Sequence, residues 1–173
     1  ALPERVADDA DHDNDGLPAY VDRLFAAARG TAELPASAMT KWFDTNYHYI
    51  VPELAADSEF RLDDAALLTD LGDQVTRGTA ARPVLIGPLT YLALARTTDG
   101  SDALVHLETI FDAYARLLPR LAERGAAWVQ FDEPYLVTDV DKDETRKADL
   151  LARTRAGYEK LVAASDLNLL VQT

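Results

Sequence analysis

Cysteine is absent from all 173 residues of the chain, and histidine occurs only three times. Disulfides and thiolate metal sites are therefore excluded. Long apolar runs and a secretory leader are also lacking, so we expect no membrane contact and a cytoplasmic protein. Positive charge is scarce, because 17 Lys and Arg stand against 30 Asp and Glu, which gives a net charge of -13. Such a negative surface disfavours nucleic acid and anionic membranes as partners.

Hydrophobic residues make up 48% of the sequence, which is enough to build a core. Short apolar or aromatic segments between turn residues predict strands, and amphipathic segments between them predict helices. The predicted strands are 46–52, 82–88, 127–134 and 167–173. The predicted helices are 17–30, 61–78, 101–125 and 145–165, and Pro119 is expected to kink or interrupt the third of them.

This alternation of strands and helices indicates an α/β fold made of parallel β/α units. Four such units form either a small open sheet or half of an eight-stranded (β/α) barrel, which needs about 250 residues. No segment follows the last predicted strand, and the chain opens at Ala1 without a methionine. We therefore favour a partial, half TIM barrel cut from a larger domain, with residues 1–173 as the fragment.

Two adjacent carboxylates, Asp132 and Glu133, stand at the carboxyl end of the third predicted strand. In parallel α/β proteins, ligands bind beyond the carboxyl ends of the strands. Carboxylates at that position can hold an amine, a metal ion or a proton in transfer. The alternative is a pair that caps a helix or forms salt bridges.

An acidic segment, Asp11–Gly16, matches the first half of an EF-hand calcium loop and places Asp22 at the twelfth position. The match is weakened by Asp in place of Glu at that position, by a proline at the eighth and by the lack of a preceding helix. A solvated acidic loop is the alternative. A stand-alone acidic binding module with a calcium-binding loop at Asp11–Asp22 is our second functional hypothesis.

The segment MTKWFDTNYHYIVPE, residues 39–53, concentrates aromatic and polar side chains. It places Lys41 beside Trp42, with Asn46 and His48 a few residues further on. A lysine beside aromatic faces can hold an anionic ligand that carries a flat ring. The equally plain alternative is an aromatic core strand whose lysine buries its aliphatic stem. The three histidines of the chain are scattered and lack the spacing of a zinc site.

This segment resembles a signature of the cobalamin-independent methionine synthases, the 5-methyltetrahydropteroyltriglutamate–homocysteine methyltransferases. The resemblance continues in RPVLIGPLTYL, LAERGAAWVQFDEPYLV and LNLLVQT, and so covers nearly the whole chain. It implies an enzyme of two (β/α)8 barrels that transfers a methyl group from the folate to homocysteine. The C-terminal barrel of the family carries zinc on Cys and His ligands, whereas the N-terminal barrel helps to hold the folate polyglutamate.

The resemblance implies that this chain supplies the third to sixth strands of the N-terminal barrel, with the C-terminal catalytic barrel as its partner. Lys41 matches a lysine that contacts methylfolate. The rim candidates are Trp42, Asn46, His48, Asp132 and Glu133. Asp132 and Glu133 are expected to be structural remnants of the duplication. The chain alone is expected to hold no metal or cofactor, to be inactive, to bind folate weakly or not at all, and to self-associate through its open edges.

Overall fold

The computed structural model describes residues 17–139 and 143–173. Its elements, in chain order, are α1 (Leu17–Arg29), β1 (Met39–Lys41), β2 (His48–Ile50), β3 (Glu53–Leu54), α2 (Ala65–Thr76), β4 (Val84–Ile86), α3 (Pro88–Ala93), β5 (Arg96–Thr97), a 3₁₀ turn (Ala103–His106), α4 (Leu107–Glu123), β6 (Trp128–Asp132), a second 3₁₀ turn (Pro134–Val137), α5 (Glu144–Ala164) and β7 (Asn168–Gln172).

The chain divides into two compact units. The first unit runs to Ala56 and includes Leu94–Ala103, and the second consists of Asp57–Ala93 and Leu104–Thr173. In the first unit, β1 and β2 form an antiparallel hairpin, and β3 pairs with β5 in parallel. Helix α1 ends at Gly30, whose φ of 76° is the left-handed conformation that glycine adopts without strain.

The second unit is built on a parallel sheet with the strand order β4-β6-β7. One face of this sheet is apolar and covered, because Val129 and Phe131 of the central strand are fully buried. The ring of Phe131 lies 5.6 Å from that of Tyr114 on α4 and 5.7 Å from that of Tyr158 on α5. Helix α4 buries one stripe of apolar residues at helical spacing, and α5 begins where the Asp143 side chain accepts the first free backbone N–H groups.

The other face of the sheet leaves large apolar side chains exposed. Alternate residues of a strand share a face, and the pairing of Val84 with Gln130 aligns the strands. The exposed apolar residues on this face are Val84, Ile86, Trp128 and Leu170. Strands β4 and β7 are the edges of this three-stranded sheet in the described part of the chain.

The predicted α/β class with parallel strands is confirmed, and β4, β6 and β7 lie within three of the four predicted strands. The expectation that the fourth, 46–52, joins the parallel set was wrong. Its core His48–Ile50 pairs antiparallel with Met39–Lys41, because only six residues separate the two strands and a short connection permits no parallel crossover. Pro119 was expected to kink or interrupt its helix. Helix α4 runs through Pro119, so the expected interruption was wrong.

In the described residues, no helix combines the length and the apolarity that crossing a bilayer requires.

Candidate functional site

The hairpin β1–β2 places Lys41 and His48 directly opposite each other. The ladder is bracketed by two backbone hydrogen bonds, from Val51 N–H to the Ala38 carbonyl (2.8 Å) and from Trp42 N–H to the Tyr47 carbonyl (2.7 Å). Hydrogen-bonded and non-hydrogen-bonded pairs alternate along an antiparallel ladder, so the pair between Lys41 and His48 is of the non-hydrogen-bonded kind. Side chains approach each other most closely in such pairs, and they point to the same face.

The aromatic residues of the hairpin pack on its other face and in the turn. The indole of Trp42 lies edge-on to Phe43, at 5.1 Å between ring centroids, and to Tyr49, at 6.0 Å. The Tyr49 hydroxyl donates to the Leu94 carbonyl (3.2 Å), and burial raises the pKa of this phenol. Phe43 adopts a φ of 49°, which is uncommon for a bulky residue and marks a turn held under strain.

The polar side chains of the hairpin face solvent. Lys41, Asn46 and His48 are exposed, and Tyr47 is exposed by 77%. The imidazole Nδ1 of His48 lies 3.2 Å from the Asn46 carbonyl oxygen, which can only accept, so Nδ1 carries the hydrogen. Among the residues that the structure describes, Lys41 has no ion-pair partner. An exposed ammonium beside an imidazole is suited to binding an anion.

The structure therefore brings four of the predicted site residues, Lys41, Trp42, Asn46 and His48, together on one hairpin of the first unit. Asp132 and Glu133 lie in the second unit. The two carboxylates have different environments, although they are adjacent in sequence.

Glu133 is fully buried, and its carboxylate accepts three hydrogen bonds. The donors are the backbone N–H of Leu89 (3.3 Å), the backbone N–H of Thr90 (2.5 Å) and the hydroxyl of Tyr158 (2.8 Å). Burial raises the pKa of Glu133, although these hydrogen bonds act in the opposite direction. The contacts are those of a side chain that caps the first turn of α3 and joins it to α5.

Gly87 shows how little space surrounds this carboxylate. A Cβ atom added at Gly87 would lie 2.1–2.6 Å from the carboxyl atoms of Glu133. Real Cβ contacts are never that short, so the backbone of the β4–α3 connection approaches the carboxylate as only a glycine permits. No ligand fits between Gly87 and Glu133.

Asp132 lies at the carboxyl end of β6, half-buried, on the sheet face that carries the exposed apolar residues. Its carboxylate accepts a hydrogen bond from Gln130 Nε2 (2.7 Å), which also donates to Gln172 Oε1 (2.6 Å). The two glutamines are not among the site residues predicted from the sequence. The available signal was spacing along and across the strands. Gln130 lies two residues before Asp132 and therefore shares its face, and Gln172 is the parallel partner of Asp132.

Within residues 17–139 and 143–173, no cluster of three or more His, Cys, Asp or Glu side chains is placed to hold a metal ion. These residues therefore do not fit a zinc site. The acidic segment Asp11–Gly16 of the predicted calcium loop lies outside the described residues, and the rest of the loop, up to its twelfth position Asp22, lies within α1.

Comparison with known families gives a match over residues 1–173 to the family described as "Cobalamin-independent synthase, N-terminal domain". The chain belongs to this family. The resemblance inferred from the hairpin motif is thus confirmed, and the match does not favour the stand-alone calcium-binding module.

Three relatives carry the name 5-methyltetrahydropteroyltriglutamate–homocysteine methyltransferase. The chain is 65% identical to the protein of Corynebacterium efficiens over 160 residues, which are 92% of this chain and 20% of the relative. It is 59% identical to that of Corynebacterium glutamicum (strain R), with the same coverage. It is 46% identical to that of Mycolicibacterium paratuberculosis over 167 residues, 96% of this chain and 20% of the relative. The chain thus spans about a fifth of these relatives' length.

Proposed function

We propose that this chain is part of an enzyme that transfers a methyl group from 5-methyltetrahydropteroyltriglutamate to homocysteine, yielding methionine. The names of the relatives and the family match over residues 1–173 support this activity. In this proposal the residues described here hold substrate, and the chemistry takes place elsewhere in the polypeptide, on a zinc-bearing C-terminal barrel in the cytoplasm. The chain by itself is then inactive, with little or no affinity for folate.

The half TIM barrel remains our proposal for the architecture, with residues 1–173 as a segment of the N-terminal barrel. Strands β4, β6 and β7 are parallel neighbours in chain order, as successive strands of such a barrel are. Helices α4 and α5 cover one face of this sheet. In a closed barrel the opposite face, which carries Trp128 and Asp132, would line the interior.

The observation that carries the site proposal is the exposed ammonium of Lys41 opposite His48. The substrate tail is a chain of carboxylates, and an ammonium attracts them without competition from an internal ion pair in the described residues. Trp42 and Asn46 form the rim that shapes this end of the hairpin. Glu133 is assigned a structural role as the cap of α3, and Asp132 a supporting role on the sheet face.

Steady-state kinetics of the full-length enzyme tests this proposal. Replacing Lys41 by Ala should raise the KM for the triglutamylated methylfolate about ten- to a hundredfold, the range for a hydrogen bond to a charged partner. The KM for homocysteine should change little, and Lys41→Arg should restore most of the loss. Lys160→Ala, which removes an exposed ammonium of the second unit that is paired with Asp112, is the control for loss of a surface lysine. A folate KM unchanged by Lys41→Ala would refute the assignment.

A further inference from the structure

We infer that Tyr49 is a positioning residue for Lys41, and that its hydrogen bond to the Leu94 carbonyl fixes where the ammonium stands. The inference rests on the proposed function but concerns a different residue, on the opposite face of the hairpin. In the ladder, Tyr49 pairs with Thr40, one step from Lys41. Because successive residues of a strand point to opposite faces, Tyr49 points away from the ammonium, and it is half-buried whereas Lys41 is exposed.

Hydrogen bonds and a ring contact hold the hairpin together from its ladder to its turn. The Trp42 N–H donates to the Tyr47 carbonyl (2.7 Å), and the Trp42 carbonyl accepts from the hydroxyl (2.6 Å) and the N–H (3.1 Å) of Thr45. The Trp42 indole lies edge-on to the Tyr49 ring, at 6.0 Å between centroids. A hairpin held in this way moves as one body, so the place of Lys41 is decided by what the base of the hairpin contacts.

The base of the hairpin is joined to strand β5 and the segment before it by backbone and side-chain hydrogen bonds. Strand β2 continues through Val51 and Pro52 into β3, which pairs with β5 in parallel. The Arg96 N–H donates to the Pro52 carbonyl (2.8 Å) at the start of this pairing. Two residues before Arg96, the Leu94 carbonyl accepts the Tyr49 hydroxyl (3.2 Å). The phenol thus ties the hairpin to the chain at a point that the pairing of β3 with β5 does not reach.

Removal of the Tyr49 hydroxyl should leave the hairpin folded but let it pivot about the connection at Val51 and Pro52. Tyr49→Phe keeps the aromatic ring and therefore its contact with Trp42. A charge-assisted hydrogen bond depends on distance and direction, so a displaced Lys41 ammonium holds a carboxylate less tightly. The neutral hydrogen bond that is lost is typically worth about a two- to tenfold change in an equilibrium constant, which sets the size of the effect.

Steady-state kinetics of the full-length enzyme tests the inference with Tyr49→Phe. The KM for triglutamylated methylfolate should rise about two- to tenfold, whereas kcat and the KM for homocysteine should stay unchanged. Tyr47→Phe is the matched control, because it removes the hydroxyl of a tyrosine on the same hairpin whose side chain is exposed. A folate KM that is the same in Tyr49→Phe and Tyr47→Phe would overturn the inference.

Combination with Lys41→Ala separates positioning from a general effect on structure. If Tyr49 acts through Lys41, Tyr49→Phe should raise the folate KM little further once the ammonium is gone, so the two losses are far from additive. The same relative increase with and without Lys41 would show that Tyr49 acts on the fold and not on the ammonium. Such additivity would also overturn the inference.

The single variants separate this inference from the proposed function. If Lys41→Ala raises the folate KM and Tyr49→Phe leaves it unchanged, only the inference on Tyr49 fails. If Lys41→Ala leaves the folate KM unchanged, the assignment of Lys41 to the folate site fails, and the positioning role of Tyr49 fails with it.

Discussion

The hydroxyl of Tyr158 donates a 2.8 Å hydrogen bond to the carboxylate of Glu133, and this contact links helix α5 to the residue that follows strand β6. The same carboxylate accepts the backbone N–H of Thr90 at the start of α3. Burial raises the pKa of Tyr158, and the neighbouring Glu133 carboxylate raises it further. One buried side chain thus connects a strand end to two helices.

Glu133 should make stability depend on pH. Its pKa is raised in the folded state, so the folded protein retains the proton at pH values where the unfolded chain has lost it. The resulting stabilisation is fully present below the unfolded pKa of about 4.3 and is lost as the pH rises through the folded pKa. Glu133→Gln, which stays neutral, should remove this dependence.

Urea unfolding of the 173-residue chain at low protein concentration and several pH values, followed by tryptophan fluorescence, measures the effect of Glu133. The free energy of unfolding of the wild type should fall, relative to that of Glu133→Gln, as the pH rises above about 4. Two curves that run parallel from acid to neutral pH would contradict the raised pKa.

A methyl group at Gly87 should lower the stability of the fold because it would clash with Glu133. The added Cβ would lie 2.1–2.6 Å from the carboxyl atoms, so Gly87→Ala should destabilise the chain by about 1–3 kcal/mol, as overpacking does. In a Glu133→Ala background the clash is gone and the same substitution should cost much less. Denaturant unfolding of the four proteins of this double-mutant cycle gives the coupling. Purely additive losses would mean that the two residues are not in contact.

Two helical glycines should respond differently to alanine. A Cβ at Gly157 in α5 would lie 2.3–2.5 Å from the ring of Phe111, whereas one at Gly72 in α2 would meet only an Arg124 side-chain nitrogen at 3.7 Å. Gly157→Ala should therefore destabilise by about 1–3 kcal/mol. Gly72→Ala should stabilise by about 0.5–1 kcal/mol through helix propensity. Thermal or urea unfolding checks both, and a stabilising Gly157→Ala would disprove the close approach of α4 and α5.

The isolated 173-residue chain should self-associate. Val84 and Trp128 are exposed on the uncovered face of the parallel sheet, and its edge strands present unpaired backbone groups. The acidic surface opposes association, but exposed charges are screened within about 8 Å at physiological salt. Light scattering over a concentration series should show mass above 19.0 kDa.

Substitutions at two exposed valines locate the associating surface. Val84→Lys, on the uncovered sheet face, should reduce the association, whereas Val162→Lys on helix α5 should not. A strictly monomeric and cooperatively folding chain would contradict the half-barrel proposal.

Long, strongly patterned elements were predictable from the sequence. Helices α1, α2, α4 and α5 all overlap predicted helices, because their apolar residues recur at helical spacing and Gly30 marks the end of the first. Helix α3 was not predicted, since six residues are too few to show a helical period. The pairing of His48–Ile50 was misjudged because strand propensity carries no information on which strand is the partner.

The candidate site was predictable only in part. The clustering of Lys41 and His48 was visible as proximity in sequence, but their cross-strand pairing needed the register of the hairpin. The three hydrogen bonds that the Glu133 carboxylate accepts could not be predicted from the sequence. Their donors are distant along the chain, because Leu89 and Thr90 lie 44 and 43 positions away and Tyr158 lies 25 positions away. The one sequence feature that indicated an enclosed carboxylate was Gly87, which permits the backbone to approach Glu133 closely.

Amine labelling of the full-length enzyme tests the central claim, that the hairpin contacts the substrate tail, most directly. An acylating reagent modifies exposed ammonium groups, and both Lys41 and Lys160 are exposed. Mass spectrometry then reports the labelling rate of each lysine in one sample, with Lys160 as the internal control. Saturating triglutamylated methylfolate should slow the labelling of Lys41 about tenfold, the monoglutamylated form should protect it less, and Lys160 should react unchanged. Equal labelling of Lys41 with and without the triglutamylated substrate would contradict the account.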